Sequence, residues 1–294
     1  MNARGRPIQA QRGAALLLVL WLLVLLIGVI SLFALAARTE ALQGRTLARG
    51  ADARDAAEAG IDVAAYHLQG AGDSRWVPDG RANDFSFAGQ KLQVRVVDES
   101  AKVDLNVAAP DLLVGLLQAV GVDPERARRL SGAIQDWRDG DDLLNAEGGA
   151  EDPQYAAAKL PYGAKDRPFE TLSELRLVLG MDAALFEKLR PYVTVYSGLA
   201  RPNPAFAGRP VLQALGLDAG QVEQALRQRE PPPPGAPAAA APPVAQGTGT
   251  YSISSRATRP DGTRVQVQAA IRIGGGGGFG QLYLPLSWRV GESD

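Results

Sequence analysis

The sequence predicts an α+β protein, a long N-terminal helix packed on an antiparallel sheet that carries a large all-helical insert. Three observations predict it. An uncharged apolar run, Ala14 to Ala37, passes directly into an amphipathic pattern that lasts to Leu68. Alternating apolar and polar stretches lie at both ends of the remaining chain. The residues between them, 100–229, carry helix-hairpin punctuation instead.

Composition narrows the chemistry. With 31 Lys and Arg against 32 Asp and Glu, the net charge is −1, so the molecule has no overall basic field for nucleic acid. It has no cysteine, which excludes disulfides, thiol catalysis and cysteine-ligated zinc. The single histidine, His67, leaves little material for imidazole chemistry and reads as a packed or surface residue.

The 24 residues from Ala14 to Ala37 span ~36 Å as a helix, enough to cross a hydrocarbon core of ~30 Å. The run is too long for a secretory signal core of roughly 7–15 residues. Arg4, Arg6 and Arg12 precede it, which predicts a single-pass anchor with a cytoplasmic N-terminus and an exported remainder. Beyond it, Leu42, Leu47, Ala51, Ala57, Ile61, Ala64, Ala65 and Leu68 recur at helical spacing. The outer half of the rod therefore needs an apolar partner, most simply a sheet in the same chain.

Strands are expected at Lys91–Asp98, Tyr251–Ala257, Thr263–Ile273 and Leu282–Val290. Pro260-Asp261-Gly262 supplies a turn, and Pro285 marks an edge or a bulge. Gly274–Gly278 reads as a flexible connector and Glu230–Gln246, rich in proline and alanine, as an extended linker. In the insert, LLQAVGVD (Leu116–Asp123), LRLVLGMD (Leu175–Asp182) and VLQALGLD (Val211–Asp218) repeat one pattern. Each ends a helix with glycine, adds an apolar residue, then places an aspartate to cap the next helix. Pro124 suits the first position of a helix, and Thr171 with Glu174 forms a capping box.

One stretch stands out chemically. DWRDGDDLLNAEGGAED gathers Asp136, Asp139, Asp141, Asp142, Glu147, Glu151 and Asp152 around a single arginine and three glycines. Acids this dense repel one another unless something neutralises them, and oxygen donors in a flexible loop suit Ca²⁺. The block is no EF-hand. Counted from Asp139, Leu143 fills position 5 and Leu144 replaces the glycine at position 6. Trp137 reads as a core anchor. Acid–base hydrolysis has no supporting constellation, since the chain lacks a P-loop, G-x-S-x-G and H-E-x-x-H. A rival reading is a membrane-anchored DNA-uptake protein, because Val103–Leu130 looks like a helix-hairpin-helix unit. Against it, each hairpin turn puts an aspartate where phosphate would sit.

The start, Arg12-Gly13 followed by Ala14-Ala15-Leu16-Leu17-Leu18, resembles type IV pilin-like proteins. In that family a prepilin peptidase cuts after the glycine and the new N-terminal residue is methylated, which maps onto Gly13 and Ala14. The usual glutamate at the fifth mature position is Leu18 here. The blocks DESAKVDLNVAAPDLL, IQDWRDGDDLLNAEGGAED and PFETLSELRLVLGM, then LRPYVTVYS and SWR, resemble the type II secretion minor pseudopilins of the general secretion pathway protein K family. The resemblance implies a pilin-like fold with an insert of helix-hairpin-helix, SAM-like units, no enzymatic activity and no nucleic acid. It implies a pseudopilus tip bound to two other minor pseudopilins. It also implies calcium, carried onto Asp139, Asp141, Glu151 and Asp152 and, beside them, Asp136, Asp142 and Glu147. The expected plan is a leader at 1–13, a transmembrane helix at 14–37, the outer helix and first strand at 38–99, the insert at 100–229, a linker at 230–249 and closing strands at 250–294. Leu42, Leu47, Ile61 and Leu68 are expected to pack on partner helices.

Overall fold

A computed structural model describes residues 12–70, 74–229, 248–274 and 282–291. Most of the leader, the Glu230–Gln246 tract and Gly275–Gly278 lie outside the described residues.

Helix α1 runs unbroken from Arg12 to Gln69. Its apolar first half and amphipathic second half form one rod of ~87 Å. The last third seats on a sheet. Ala53, Ala56, Ala57, Ile61, Ala64, Ala65 and Leu68 are buried against Leu92, Val94, Val96, Ile253, Val267 and Ile271. The helix side of this contact is almost all alanine, so the backbone approaches closely. Gly60 shows how closely: a Cβ there would stand 2.2 Å from Ser255 Oγ and 3.1 Å from the methyls of Leu92 and Val94.

The sheet is five-stranded and antiparallel, in the order β1 (Asp79–Phe87), β2 (Gln90–Asp98), β5 (Thr250–Thr258), β6 (Arg264–Arg272), β7 (Leu284–Gly291). Strand β2 alternates strictly, with Leu92, Val94 and Val96 facing α1 and Lys91 and Arg95 facing away. Pro285 sits on the edge strand and pairs with Ile271 where the register slips, so it marks both an edge and a bulge. Strand β1 was not expected, because its side chains are mostly half-exposed and do not alternate cleanly. Its sequence signal is the two-residue turn Ala88-Gly89, both at positive φ, which closes the hairpin to β2.

Everything from Glu99 to Arg229 is inserted between β2 and β5, strands that are neighbours in the sheet. The insert has a core of its own around Leu113, Leu116, Leu130, Ile134, Trp137, Tyr155 and Leu212. It holds α2 (Pro110–Ala119), α3 (Pro124–Arg138), α4 (Asp152–Ala157), α5 (Ala183–Leu189), α6 (Arg209–Ala214) and α7 (Ala219–Arg227).

The glycine and aspartate punctuation of the three repeats is present in the structure. Gly121, Gly180 and Gly216 have φ of +94°, +87° and +89°. Asp123, Asp182 and Asp218 then accept the backbone N–H of Arg126, Leu185 and Gln221 at 2.8–2.9 Å. The arm before Gly180, Leu172–Leu177, is a 3-10 helix rather than an α-helix, so two of the repeats are α-hairpins and the third is half of one.

The insert is not all helical either. Val103–Asp104 (β3) and Val193–Thr194 (β4) form a short parallel pair. Residues 101–105, ahead of α2, lie buried, and their backbone groups need partners within the protein. Val103 N–H donates to Tyr192 O at 2.9 Å and Leu105 N–H to Thr194 O at 2.9 Å.

The seat of α1 predicts the effect of bulk. Gly60→Leu forces the helix off Ser255 and costs about 1–3 kcal/mol. Thermal melts should show a drop of roughly 2–10 °C; an unchanged midpoint would mean that the helix is not seated as described.

Candidate functional site: the acidic loop and the exposed stem

The acidic block forms the end of α3, a tight loop, and the start of α4. Its parts have different surroundings. Asp136 is 1% exposed and Glu151 4% exposed, whereas Asp139, Asp141, Asp142, Glu147 and Asp152 are open to solvent. Trp137 is buried between Tyr155 and Phe169, with ring centroids 6.0 and 6.2 Å away, and anchors α3 as expected. Buried Tyr155 in turn accepts Leu179 N–H on its hydroxyl at 3.0 Å.

The loop closes over Asp136 because glycine lets it. A Cβ on Gly149 would lie 1.8 Å from Asp136 Oδ2, and one on Gly132 would strike the backbone of Gly149 at 2.9 Å. Asn145 N–H donates to Asp136 Oδ2 at 3.3 Å. Asp136 Oδ1 and Glu151 Oε1 are buried without a hydrogen-bond partner. Such orphan oxygens cost free energy unless a proton or cation meets them.

The block's only arginine helps little. Arg138 turns inward and donates to Leu105 O, and to Ala108 O at 2.8 Å. Burial lowers its pKa. Its charge lowers Asp139, but less than burial and the repulsion of Asp136 and Asp141 raise it, and the rest of the block is left to itself. Asp136 is raised mainly by burial, as are Asp139 and Asp166. Glu151 is pushed up to about 7, first by burial and then by Asp136, Asp166, Asp139 and Asp142.

Asp166 was missed by sequence reading. It lies beyond α4, sits at φ +53°, and has a buried Oδ1 without a partner. Only folding brings it to the block, and no local spacing announces it. A Cβ on Gly163 would lie 1.6 Å from Asp152 Oδ1, so this second loop also crowds the acids. Glu147 is the outlier. It is exposed, and its backbone N–H donates to Asn145 Oδ1 at 3.1 Å.

Among the described residues no three acidic side chains are placed to hold a metal ion together. Their chemistry alone suits a hard cation: unpaired buried carboxylate oxygens that repel one another.

The second feature is the stem. Residues Leu16 to Leu35 are exposed throughout; Trp21 is 73% and Phe33 76% exposed. Among the described residues this is the one helix long and apolar enough to cross a membrane, and its apolar window buries nothing within the chain. Leu42 and Leu47 are also bare. Ile61 and Leu68 are not. They are 0% and 4% exposed, fully used against the chain's own sheet, which corrects their expected role on a partner. The spacing pattern is the same above and below Ala51, and only the sheet tells the two parts apart. His67 stacks on Trp76 at 4.8 Å, and its Nδ1 lies 2.7 Å from Ser74 O, a packed residue as read.

Residues 91–198, which contain the whole acidic block, match the family model described as type II secretion system (T2SS), protein K. The chain is 33% identical over 207 residues to Type II secretion system protein K of Klebsiella pneumoniae, an alignment covering 62% of each. Over these residues the chain is similar to the type II secretion system protein K family.

A second protein K, from Pectobacterium carotovorum subsp. carotovorum, is 30% identical over 190 residues, covering 61% of this chain and 51% of that one. The chain spans about half to three-fifths of the length of these curated relatives. Its fold is similar to that of a chain in the crystal structure of the GspK-GspI-GspJ complex from the enterotoxigenic Escherichia coli type 2 secretion system. The TM-score is 0.55 at 20% identity, covering 87% of this chain and 100% of that one. The DNA-uptake alternative gains no support. In this chain the turn aspartates are spent as helix caps, and Asp182 also holds Arg126 at 2.7 Å.

The raised pKa of Glu151 sets a pH dependence. In chelator the folded chain holds that proton more firmly than the unfolded chain, whose pKa is 4.5. Stability should therefore fall as pH rises from 4.5 toward about 7 and level off above. Glu151→Gln should flatten the slope in thermal melts across this range; an unchanged slope would exclude Glu151 as its source.

Proposed function

We propose that this chain is a protein K family member, a non-enzymatic minor pseudopilin that caps the type II secretion pseudopilus and supports export of folded proteins from the periplasm across the outer membrane. The carrying observation is one continuous helix with a bare apolar half, seated by its other half on a sheet that bears a bulky insert. A subunit of this shape joins a helical bundle through its stem, and its insert obstructs the addition of another subunit above it. Leu18 supports the same reading. It has no carboxylate to offer a neighbour's amine, so the subunit suits an end better than a repeat.

The solved relative of similar fold was crystallised with GspI and GspJ. By that likeness the partners here are two other minor pseudopilins, met along Leu16–Leu35, Leu42 and Leu47. Before assembly the apolar run anchors the chain once in the inner membrane. The N-terminal arginines stay cytoplasmic and the sheet and insert are periplasmic. Prepilin peptidase cuts after Gly13, and Ala14 is methylated. The test is the intact mass and N-terminal sequence of the protein from membranes containing that peptidase. A chain beginning at methylated Ala14 is expected; a chain still starting at Met1 overturns the reading.

The acidic loop is assigned to calcium. Asp136, Asp139, Asp142, Glu151 and Asp152, with Asp166, would have to draw together to hold it, and Asp141 lies beside them. Bound calcium supplies the positive charge that the cluster lacks. The residues do the rest: Asp136 fixes the loop from α3, Glu151 and Asp152 present the start of α4, and Gly149 lets the two approach. Glu147 is left at the rim. Calcium at about a hundred times its dissociation constant should stabilise the chelated protein by ~2.7 kcal/mol, a rise of roughly 5–10 °C. Differential scanning calorimetry checks this, and no shift would remove calcium from the reading.

A further inference from the structure

The near-neutral net charge hides a strong segregation. On the face of the sheet turned away from α1, side chains line up across the strands in rows. One row is Ser86, Lys91, Thr258 and Arg264; the next is Asp84, Gln93, Arg256 and Gln266; a third is Ala82, Arg95, Ser254, Gln268 and Arg289. With Arg272, this face carries six exposed cations, and Asp84 is its one carboxylate. Among the described residues none of the six is ion-paired. Arg256 donates to Gln266 Oε1 at 3.0 Å, Arg95 to Gly80 O at 3.2 Å and Arg272 to Thr250 Oγ1 at 3.2 Å, so they are held by neutral acceptors and keep their charge uncompensated.

The cations concentrate at one end. Lys91, Arg256 and Arg264 ring a shallow concavity of about 580 Å³, in whose lining Asp84 is the one carboxylate and Phe85 the one ring. This end lies beside the middle of α1. Gln90 donates to Asp52 O at 3.0 Å and Arg259 reaches Asp52 Oδ2 at 2.9 Å.

We propose that this basic sheet face is a docking surface for an acidic protein partner. Charge complementarity names the chemistry, and three observations choose the class. Five of the six cations are arginine, whose planar fork matches carboxylates two hydrogen bonds at a time. The glutamines and hydroxyls between them offer both donors and acceptors, as a polypeptide surface requires. The rows contain no aromatic side chain on which a nucleobase would stack, and the one ring at the concavity, Phe85, pairs with Leu92 and packs toward the core under α1. A bilayer is out of reach. Asp52 lies ~22 Å along the helix from the end of the apolar run at Ala37, against a screening length of about 8 Å. The open face measures roughly 24 by 19 Å, small beside a standard interface half of about 800 Å². The contact is therefore weak, transient and salt-sensitive.

The test uses the full chain in detergent, with chelator present, and fluorescent poly-glutamate of about twenty residues as the probe. Binding is expected in the micromolar range, weakening about tenfold between roughly 50 and 300 mM salt. Lys91→Glu, Arg256→Glu and Arg264→Glu together should lower affinity at least about tenfold, while Lys188→Glu with Arg227→Glu on the insert should leave it unchanged. Arg256→Gln with Arg264→Gln keeps the hydrogen bonding of the face and removes two charges, so it serves if the charge reversals impair folding. No binding at low salt, or equal binding by the sheet-face variants, overturns the proposal. Tighter, face-dependent binding of phosphatidylglycerol vesicles or heparin than of poly-glutamate overturns the choice of a protein partner.

Discussion

The closeness of α1 to its sheet governs the rest of the molecule. From Ala53 to Leu68 the buried helix positions are alanines, Gly60, and two larger side chains, Ile61 and Leu68. Small side chains bring the helix axis down onto Leu92, Val94 and Ile253, and that contact fixes one end of a very long lever. The other end has nothing of its own chain to touch. A helix held firmly over its last turns and bare over its first is under no internal obligation to stay in lipid or to leave it. Its environment is chosen by whatever apolar surface is offered next, which is what the proposed passage from a membrane into a fibre requires.

The insert is attached without disturbing that seat. Strands β2 and β5 pair along their whole length, although the chain between them makes a separate core. At the seam Glu99 and Lys102 are buried as an ion pair at 2.6 Å. Lys102 also donates to Ser252 on β5 at 2.9 Å, and Ser252 bonds Glu99. A buried pair of this kind adds little net stability, yet losing one partner costs ~3–5 kcal/mol. It therefore acts as a register pin that holds the first residues of the insert to the outer side of the sheet. Asp98 beside it, raised by burial, caps the following turn through Ser100 N–H at 2.8 Å.

Much of this was legible in the sequence because local rules and tertiary structure agree. The alternation of β2, β5 and β6, the Pro285 bulge and the glycine–aspartate punctuation of the hairpins are each written within a few adjacent residues. What was not legible depends on distance. Strand β1 lies on the outer edge of the sheet and has no apolar face to alternate. Ile61 and Leu42 have the same spacing in the sequence and opposite fates, since burial is decided by a sheet whose strands β2, β5 and β6 come from distant parts of the chain. Asp166 belongs with Asp136 and Glu151 only because the chain folds back after α4, and Arg138 fails to neutralise its neighbours because two carbonyls from the start of the insert claim it.

The two charged regions follow from two different geometries. A strand repeats every second residue, so a polar face of alternating cations is spread in rows about 4.8 Å apart across strands and roughly 6.8 Å along them. At that spacing and in water, like charges repel only weakly, and the face needs no counter-ion to fold. The acidic loop is the reverse. Its glycines fold the backbone so tightly that two carboxylates lose their water, and their charges then oppose folding until a proton or a cation arrives. The same near-zero net charge thus contains a surface that is stable while unoccupied and a loop that is not. The first is suited to a partner that comes and goes, and the second to a ligand that stays as part of the fold.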